Sequence, residues 1–440
     1  MKVAIIGGGY AGMAAAVELA AGGIKVTVFE AAKLLGGRAR RLDFRDTALD
    51  NGLHILIGAY RETLRLMQLV NPNFNSALLR LPLEWNIHRE FHFTAARLPA
   101  PLHLLIGLLR ARGIDWRERF AVMRFVHALR KSDFLTTQDI SVELLLKQHE
   151  QSEKLCSLLW RPLCVAALNT PSAIASARIF VNVLRESFDS TRDASDVLLA
   201  RVDLSALFPE PAARFVKSSG GKVLTGRRAI AIDAHESGFT IEAGGQRDSF
   251  SHVICALPPH QVNAFLIGIT ALSETASEID QLRYQPIHSV WLQYPESIVL
   301  PSPMLGFSDG PIHWAFDREK LCGQRGLIGC VISASGAHQD LAHHKFGLIV
   351  HQELKRRLGE LPDPSWQRVI AEKRATISCT PGVQRPPQVT PLKNFYLAGD
   401  YTASDYPATL ESAVRSGIIC ARHILQQTIT IEADGLYVSA

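Results

Sequence analysis

Three glycines at fixed spacing, Gly7-x-Gly9-x-x-Gly12, stand between a short apolar run (Lys2–Ile6) and an alanine-rich stretch (Met13–Ala21). Spacing of this kind handles phosphate. Gly7 permits a tight turn out of a strand, Gly9 lets backbone approach a pyrophosphate, and Gly12 lets a helix pack closely on a sheet. The helix start then offers N–H groups and the positive end of its dipole to the anion. A second β-branched run, Lys25–Phe29, closes on Glu30. An acid at that place accepts the ribose hydroxyls of an adenosine, so the chemistry read from these residues is dinucleotide binding.

Two further groups extend the site along a longer cofactor. Gly36-Gly37-Arg38 follows Glu30 closely. The paired glycines let backbone run beside a ribityl chain and pyrophosphate, and Arg38 is placed to pair with phosphate or to help position a ring. Near the other end of the chain, Gly399-Asp400 follows an apolar strand, and Leu410 and Glu411 open a helix. Asp400 is expected at a ribityl hydroxyl. The helix start is expected to aim N–H groups at a flavin's pyrimidine edge, where reduction brings negative charge. Ala413 and Gly417, one turn apart, are read as small for close packing on the cofactor. Together the three groups indicate FAD, held between the first and last segments.

Elements must position these residues. The strand–turn–helix–strand unit at the start has the size of one βαβ element. Strand-like runs return near Lys222–Leu224, Ala229–Ile232 and His252–Ala256. Between about Asn71 and Glu210 the chain turns aromatic and helical, as in Leu102–Leu109 and Phe120–Leu129. Alternating runs such as Ser289–Tyr294 and Gly326–Val331 indicate an antiparallel sheet. The expected fold is α/β: a discontinuous Rossmann-like FAD-binding domain (1–75, 212–260 and 385–440) with an α+β substrate domain of antiparallel sheet plus helices (76–211 and 261–384). Trp314 and Phe316 alternate about Ala315, so both would share one face and could line a substrate channel.

Composition narrows the class. Across 440 residues, 47 basic and 42 acidic side chains give a net charge of +5. That is too dispersed for nucleic-acid binding, which needs a basic stripe with interleaved aromatics. The seven cysteines form no CxxC pair, as expected of reduced thiols in the cytoplasm. The apolar start Val3–Ile6 runs straight into glycines, so a strand rather than a secretory signal is expected there, and no run is long enough to span a bilayer. The Leu98–Arg119 region, apolar and then rich in arginine, suggests peripheral contact with a membrane on its cytoplasmic face. His338, His343 and His344 lack the spacing of a metal site, so no metal is expected.

The glycine motifs and the terminal segment resemble the amine oxidase and phytoene desaturase superfamily of flavoproteins. Asp50-Asn51-Gly52-Leu53-His54, Trp160-Arg161-Pro162-Leu163, Asn169-Thr170-Pro171 and His313-Trp314-Ala315-Phe316 resemble, more closely, the hydroxysqualene dehydroxylase family. Tyr10 departs from that family, where tryptophan is expected. The resemblance implies FAD, a long-chain isoprenoid substrate supplied by prenyl synthases, and reduction of hydroxysqualene to squalene in hopanoid biosynthesis. It also implies that Val223 reaches the adenine side and that Tyr406 stands near the flavin. The reaction needs a proton donor, for which His54 and Asp50 are the candidates. The other readings are a carotenoid-type desaturase, run oxidatively, and a flavin-containing carrier of prenyl intermediates that catalyses nothing.

Overall fold

A computed structural model describes residues 1–188, 191–266 and 268–437. Its nucleotide sheet is wholly parallel. The strand order is Lys222–Thr225, Val26–Glu30, Val3–Ile6, His252–Cys255 and Phe395–Leu397. Apart from the edge strand Lys222–Thr225, of which only Val223 is buried, these strands are short and nearly all buried because helices or a second sheet cover both faces, so their sequences are largely apolar runs. The order reverses between Val3–Ile6 and His252–Cys255. A crevice opens outside the carboxyl ends of strands at such a switch point.

One face of the sheet carries the first helix, Tyr10–Ala21, and the terminal helix, Leu410–Tyr437. The two touch backbone to backbone at Gly417, where an added Cβ would lie 2.1 Å from the Ala11 carbonyl oxygen. Gly417 therefore serves helix packing and not, as the spacing suggested, packing on the cofactor. Residues Leu204–Phe208 and Ala212–Val216 complete this core. Three antiparallel strands, Ala229–His235, Gly238–Ala243 and Gln246–Phe250, cover the other face.

The second sheet has seven strands in the order Trp366–Ile377, Tyr284–Gln293, Leu327–Ser333, Trp314–Asp317, Met304–Gly306, Glu84–Ile87 and Phe91–Thr94. All neighbours are antiparallel except Met304–Gly306 and Glu84–Ile87. Helices from 102 to 188 pack with it into one apolar core. The Trp85 and Trp314 rings meet edge to face at 4.8 Å, a geometry aromatic quadrupoles favour. Asn169 locks this region to the sheet. It ends the helix Arg161–Leu168 in a left-handed conformation. Its amide donates to Thr376 Oγ1 at 3.0 Å and its oxygen accepts from Ala334 N–H at 2.8 Å.

Candidate active site

A single cavity of about 900 Å³ runs from the glycine turn of the parallel sheet to the wall of the seven-stranded sheet. At the first end the backbone is fixed by its own bonds. Gly7 has φ of 112°, and an added Cβ there would lie 2.6 Å from the Ala256 carbonyl oxygen. A Cβ on Gly12 would lie 2.0 Å from the Gly7 carbonyl oxygen. At Gly9 the nearest atom to an added Cβ is 3.8 Å away, and the residue lies on the cavity wall. The helix that starts at Tyr10 has no side-chain cap, and Gly9, Tyr10 and Ala11 face the cavity. Uncapped N–H groups at a helix start form an anion site. These residues fit a bound pyrophosphate.

Glu30 is held beside that turn. Its carboxylate accepts from Gly8 N–H and Ala32 N–H, both at 2.7 Å. Gly36 and Gly37 also line the cavity, and Gly36 N–H donates to Gly8 C=O at 2.9 Å. The two glycine loops are therefore one surface. Arg38 lies on the same wall, but its guanidinium is engaged by protein: it donates to Asp400 Oδ1 at 2.5 Å and to the Ala375 carbonyl at 2.6 Å. Burial opposes its charge, yet the Asp400 carboxylate more than offsets this and holds the group above its ordinary value. Arg38 and Asp400 thus tie the first and last segments together at the cavity, along with Gly399 and Leu410.

Three sequence expectations change. Val223 pairs with Val28 inside the parallel sheet and packs in the core. The wall next to Glu30 is formed instead by Arg228, Ala229 and Ile230, where the chain enters its next strand. Glu411 does not line the cavity. Its fully buried carboxylate accepts from Thr63 N–H at 2.9 Å, Thr63 Oγ1 at 2.7 Å and Arg415 Nε at 2.7 Å, so it caps the helix Arg61–Val70 from a neighbouring element. Tyr406 points elsewhere too. Its hydroxyl donates to Glu186 at 2.9 Å and Arg415 lies over its ring at 4.3 Å.

Arg385, in a proline-rich loop, is a residue that sequence reasoning missed. It donates to the carbonyls of Ser404, Tyr406 and Asp400, and so shapes the turn that leads into the terminal helix. Burial pulls its charge state down. No local pattern marks it, because all its partners lie beyond the next strand.

The far wall is apolar. Trp314, Phe316, Val331, Ile287, Leu53 and Val165 line it. Trp314 and Phe316 do share one face, as their alternation indicates. His54 stands between this wall and the glycine loops. Its Nδ1 lies 2.9 Å from the Gly52 carbonyl. A carbonyl only accepts, so Nδ1 carries the proton and Nε2 is left as an acceptor. Burial first, and the Arg38 charge second, hold His54 below its ordinary value, against the Gly52 contact. Neutral His54 therefore has no proton to spare.

Asp50 lies one layer behind. It is 2 % exposed, accepts from Leu204 N–H at 2.9 Å and has Arg318 Nη2 3.9 Å from its second oxygen. A void of about 10 Å³ touches Asp50, His54 and Arg318, close to the size needed for one water. Leu53, His54 and Phe316 line both this void and the main cavity. Burial, foremost, pushes the Asp50 carboxyl up to about 6, against the Leu204 N–H and Arg318, with Asp203 adding to the rise. Among the described residues no group of three or more His, Cys, Asp or Glu side chains could hold a metal ion.

The family described as flavin containing amine oxidoreductase matches residues 10–425. Hydroxysqualene dehydroxylase of Sinorhizobium fredii is 29% identical, over 98% of this chain and 99% of its own length. The 15-cis-phytoene desaturase of Capsicum annuum is 24% identical, over 97% of this chain and 78% of its own. Among solved structures, an oxidoreductase from Methanosarcina mazei superposes with a TM-score of 0.74 at 15% identity, covering 96% of this chain and 100% of that one. At that identity the likeness concerns the fold.

Proposed function

The chain belongs to the family of flavin-containing amine oxidoreductases, and from that premise we propose that it is an FAD-dependent oxidoreductase that reduces hydroxysqualene to squalene, a step toward hopanoids. The observation that carries this reading is the full-length similarity to a hydroxysqualene dehydroxylase. A cavity with a phosphate-type end at Gly7–Gly12 and an apolar end at Trp314 and Phe316 supports it. Gly7, Gly9, Gly12, Glu30, Gly36 and Gly37 would hold the dinucleotide, and the tied pair Arg38–Asp400 with Gly399 and Leu410 would hold the flavin end.

FAD, once reduced and bound there, supplies a hydride. The protein must do the rest. The allylic C–O bond breaks as its hydroxyl takes a proton and leaves as water, and the carbon takes the hydride. The apolar wall excludes water that would trap the developing cation. The proton is assigned to Asp50 and would reach the hydroxyl by a water in the void that Leu53, His54 and Phe316 share with the main cavity, with Nε2 of His54 as the acceptor that orients that water.

This assignment has a pH signature. An acid delivers a proton only while it holds one, so turnover should fall as pH rises above about 6, the value for Asp50. Asp50→Asn keeps an acceptor for Leu204 N–H and removes the titration. We expect turnover to drop by about 10²–10⁴-fold and the limb near 6 to vanish. Stability gives an independent check. The folded value lies above the ordinary carboxylate value of about 4. Asp50 therefore contributes stability that is present below about 4 and lost as pH rises through about 6. Asp50→Asn should flatten that window in urea titrations. An unchanged pH–rate profile in the variant would exclude Asp50 as the proton source.

The similarity to a phytoene desaturase supports a second reading, in which the flavin runs oxidatively. Anaerobic mixing separates the two. Hydroxysqualene should abolish the reduced-flavin spectrum, whereas phytoene should bleach the oxidised one if the chain is a desaturase. Binding of hydroxysqualene with neither spectral change would indicate a carrier.

A further inference from the structure

Polar side chains belong on the solvent face of a surface helix, and two consecutive helices here break that rule. In Leu102–Arg110 the inward face is set by His103, fully buried with Nε2 3.2 Å from Ser195 Oγ, and by Gly107, where an added Cβ would lie 2.6 Å from the Thr94 carbonyl oxygen. Leu102 and Leu105 are on the opposite side, 49% and 38% exposed. In Trp116–Lys131 the inward face is Val122, Phe125 and Leu129. Trp116 and Phe120, one turn apart on the outer face, are 59% and 63% exposed. Leu98, before the first helix, is 38% exposed. Arg119 joins the pair by donating to the Leu108 and Ala111 carbonyls, with its guanidinium 4.8 Å from the Trp116 ring.

The charges around these side chains have one dominant sign. Within residues 97–120, Arg97, Arg110, Arg112 and Arg117 are exposed, against one exposed acid, Asp115, whose carboxylate is engaged as the cap of the second helix. Among the described residues no helix is long and apolar enough to cross a membrane. Large apolar side chains flanked by arginines on short helices are the composition of an interfacial anchor: the apolar groups enter the acyl boundary and the cations meet anionic headgroups.

We propose that the surface formed by Leu98, Leu102, Leu105, Trp116 and Phe120, rimmed by these arginines, docks the protein onto an anionic lipid bilayer. Charge complementarity favours that occupant over a second copy of this chain, which would bring the same arginines face to face. The surface belongs to the helical layer whose core includes Trp314 and Phe316 of the cavity wall. The proposal deepens the reading above, and rests on it only for its purpose, which is to draw an insoluble isoprenoid from the membrane.

The test is cosedimentation of the flavin-loaded protein with vesicles of phosphatidylcholine alone and of equal parts phosphatidylcholine and phosphatidylglycerol. The protein should pellet with the mixed vesicles, much less with the neutral ones, and less as salt is raised. Trp116→Ser with Phe120→Ser should weaken binding by about tenfold or more while the flavin spectrum stays that of the parent. The proposal is overturned if the parent stays in the supernatant with both vesicle types, or if the double variant binds as tightly as the parent. It is also overturned if light scattering shows a dimer that the double variant loses, since a second copy would then cover this face. Cosedimentation reads no turnover, so its failure leaves the dehydroxylase reading intact, and the reverse also holds.

Discussion

Gly12→Ala is expected to yield protein that retains little or no flavin. The added methyl would lie 2.0 Å from the Gly7 carbonyl oxygen, 3.1 Å from its carbon and 3.2 Å from Ala256 Cβ. The nearest two of these are backbone atoms, which cannot rotate away, so the helix Tyr10–Ala21 must move off the sheet. Overpacking of this severity costs about 3 kcal/mol, and it displaces the uncapped N–H groups at the cavity. Flavin affinity should fall by roughly a hundredfold or more, read as the flavin-to-protein absorbance ratio after dialysis against FAD. Gly9→Ala separates folding from binding. Its methyl meets nothing nearer than 3.8 Å and stands at the cavity wall. That variant should unfold like the parent but bind flavin more weakly. Equal flavin content in Gly12→Ala and parent would contradict the phosphate-site account.

Glu411→Ala should be among the most destabilising single changes in the chain. The carboxylate is fully buried and satisfies Thr63 N–H, the Thr63 hydroxyl, Glu62 N–H at 3.2 Å and the Arg415 guanidinium. Truncation leaves two backbone donors at a helix start and one cation without that partner. Breaking a buried pair from one side costs about 3–5 kcal/mol, with the lower end fitting here because the Arg415 side chain is 31% exposed. Glu411→Gln keeps acceptor oxygen for the helix start and should lose less. Denaturant midpoints at a constant slope give the comparison. A loss below about 1 kcal/mol, the scale of an exposed ion pair, would mean that the cap is not formed in solution.

These two residues also show where sequence reasoning succeeds and where it stops. The turn at Gly7, Gly9 and Gly12 was legible because its close backbone approaches depend on lacking a side chain at set spacings along one strand–turn–helix unit, and local spacing is what a sequence displays. Trp314 and Phe316 were legible through strand alternation. Glu411 was not, because its partners Glu62 and Thr63 lie far earlier in the chain; at a helix start beside a flavin motif, an acid reads as a ligand contact. Val223 was misplaced for a related reason. In a four-residue edge strand with one buried side chain, periodicity does not tell which residue reaches the cavity edge, and the wall passes to Arg228–Ile230 where the strand has ended. Tyr406 was carried by resemblance alone, while the loop it occupies is shaped by Arg385, which the sequence leaves unmarked. Asp50 and His54 were named together, but their layering across a water-sized void needed three dimensions.

The central claim, reductive removal of an allylic hydroxyl from a C30 isoprenoid, is tested most directly by product identity. The FAD-loaded protein would be chemically reduced without oxygen, given hydroxysqualene in detergent, and the extract analysed by gas chromatography–mass spectrometry. The account predicts squalene in an amount equal to the reduced flavin consumed. Recovery of intact hydroxysqualene from protein whose flavin is bound and fully reduced would contradict it.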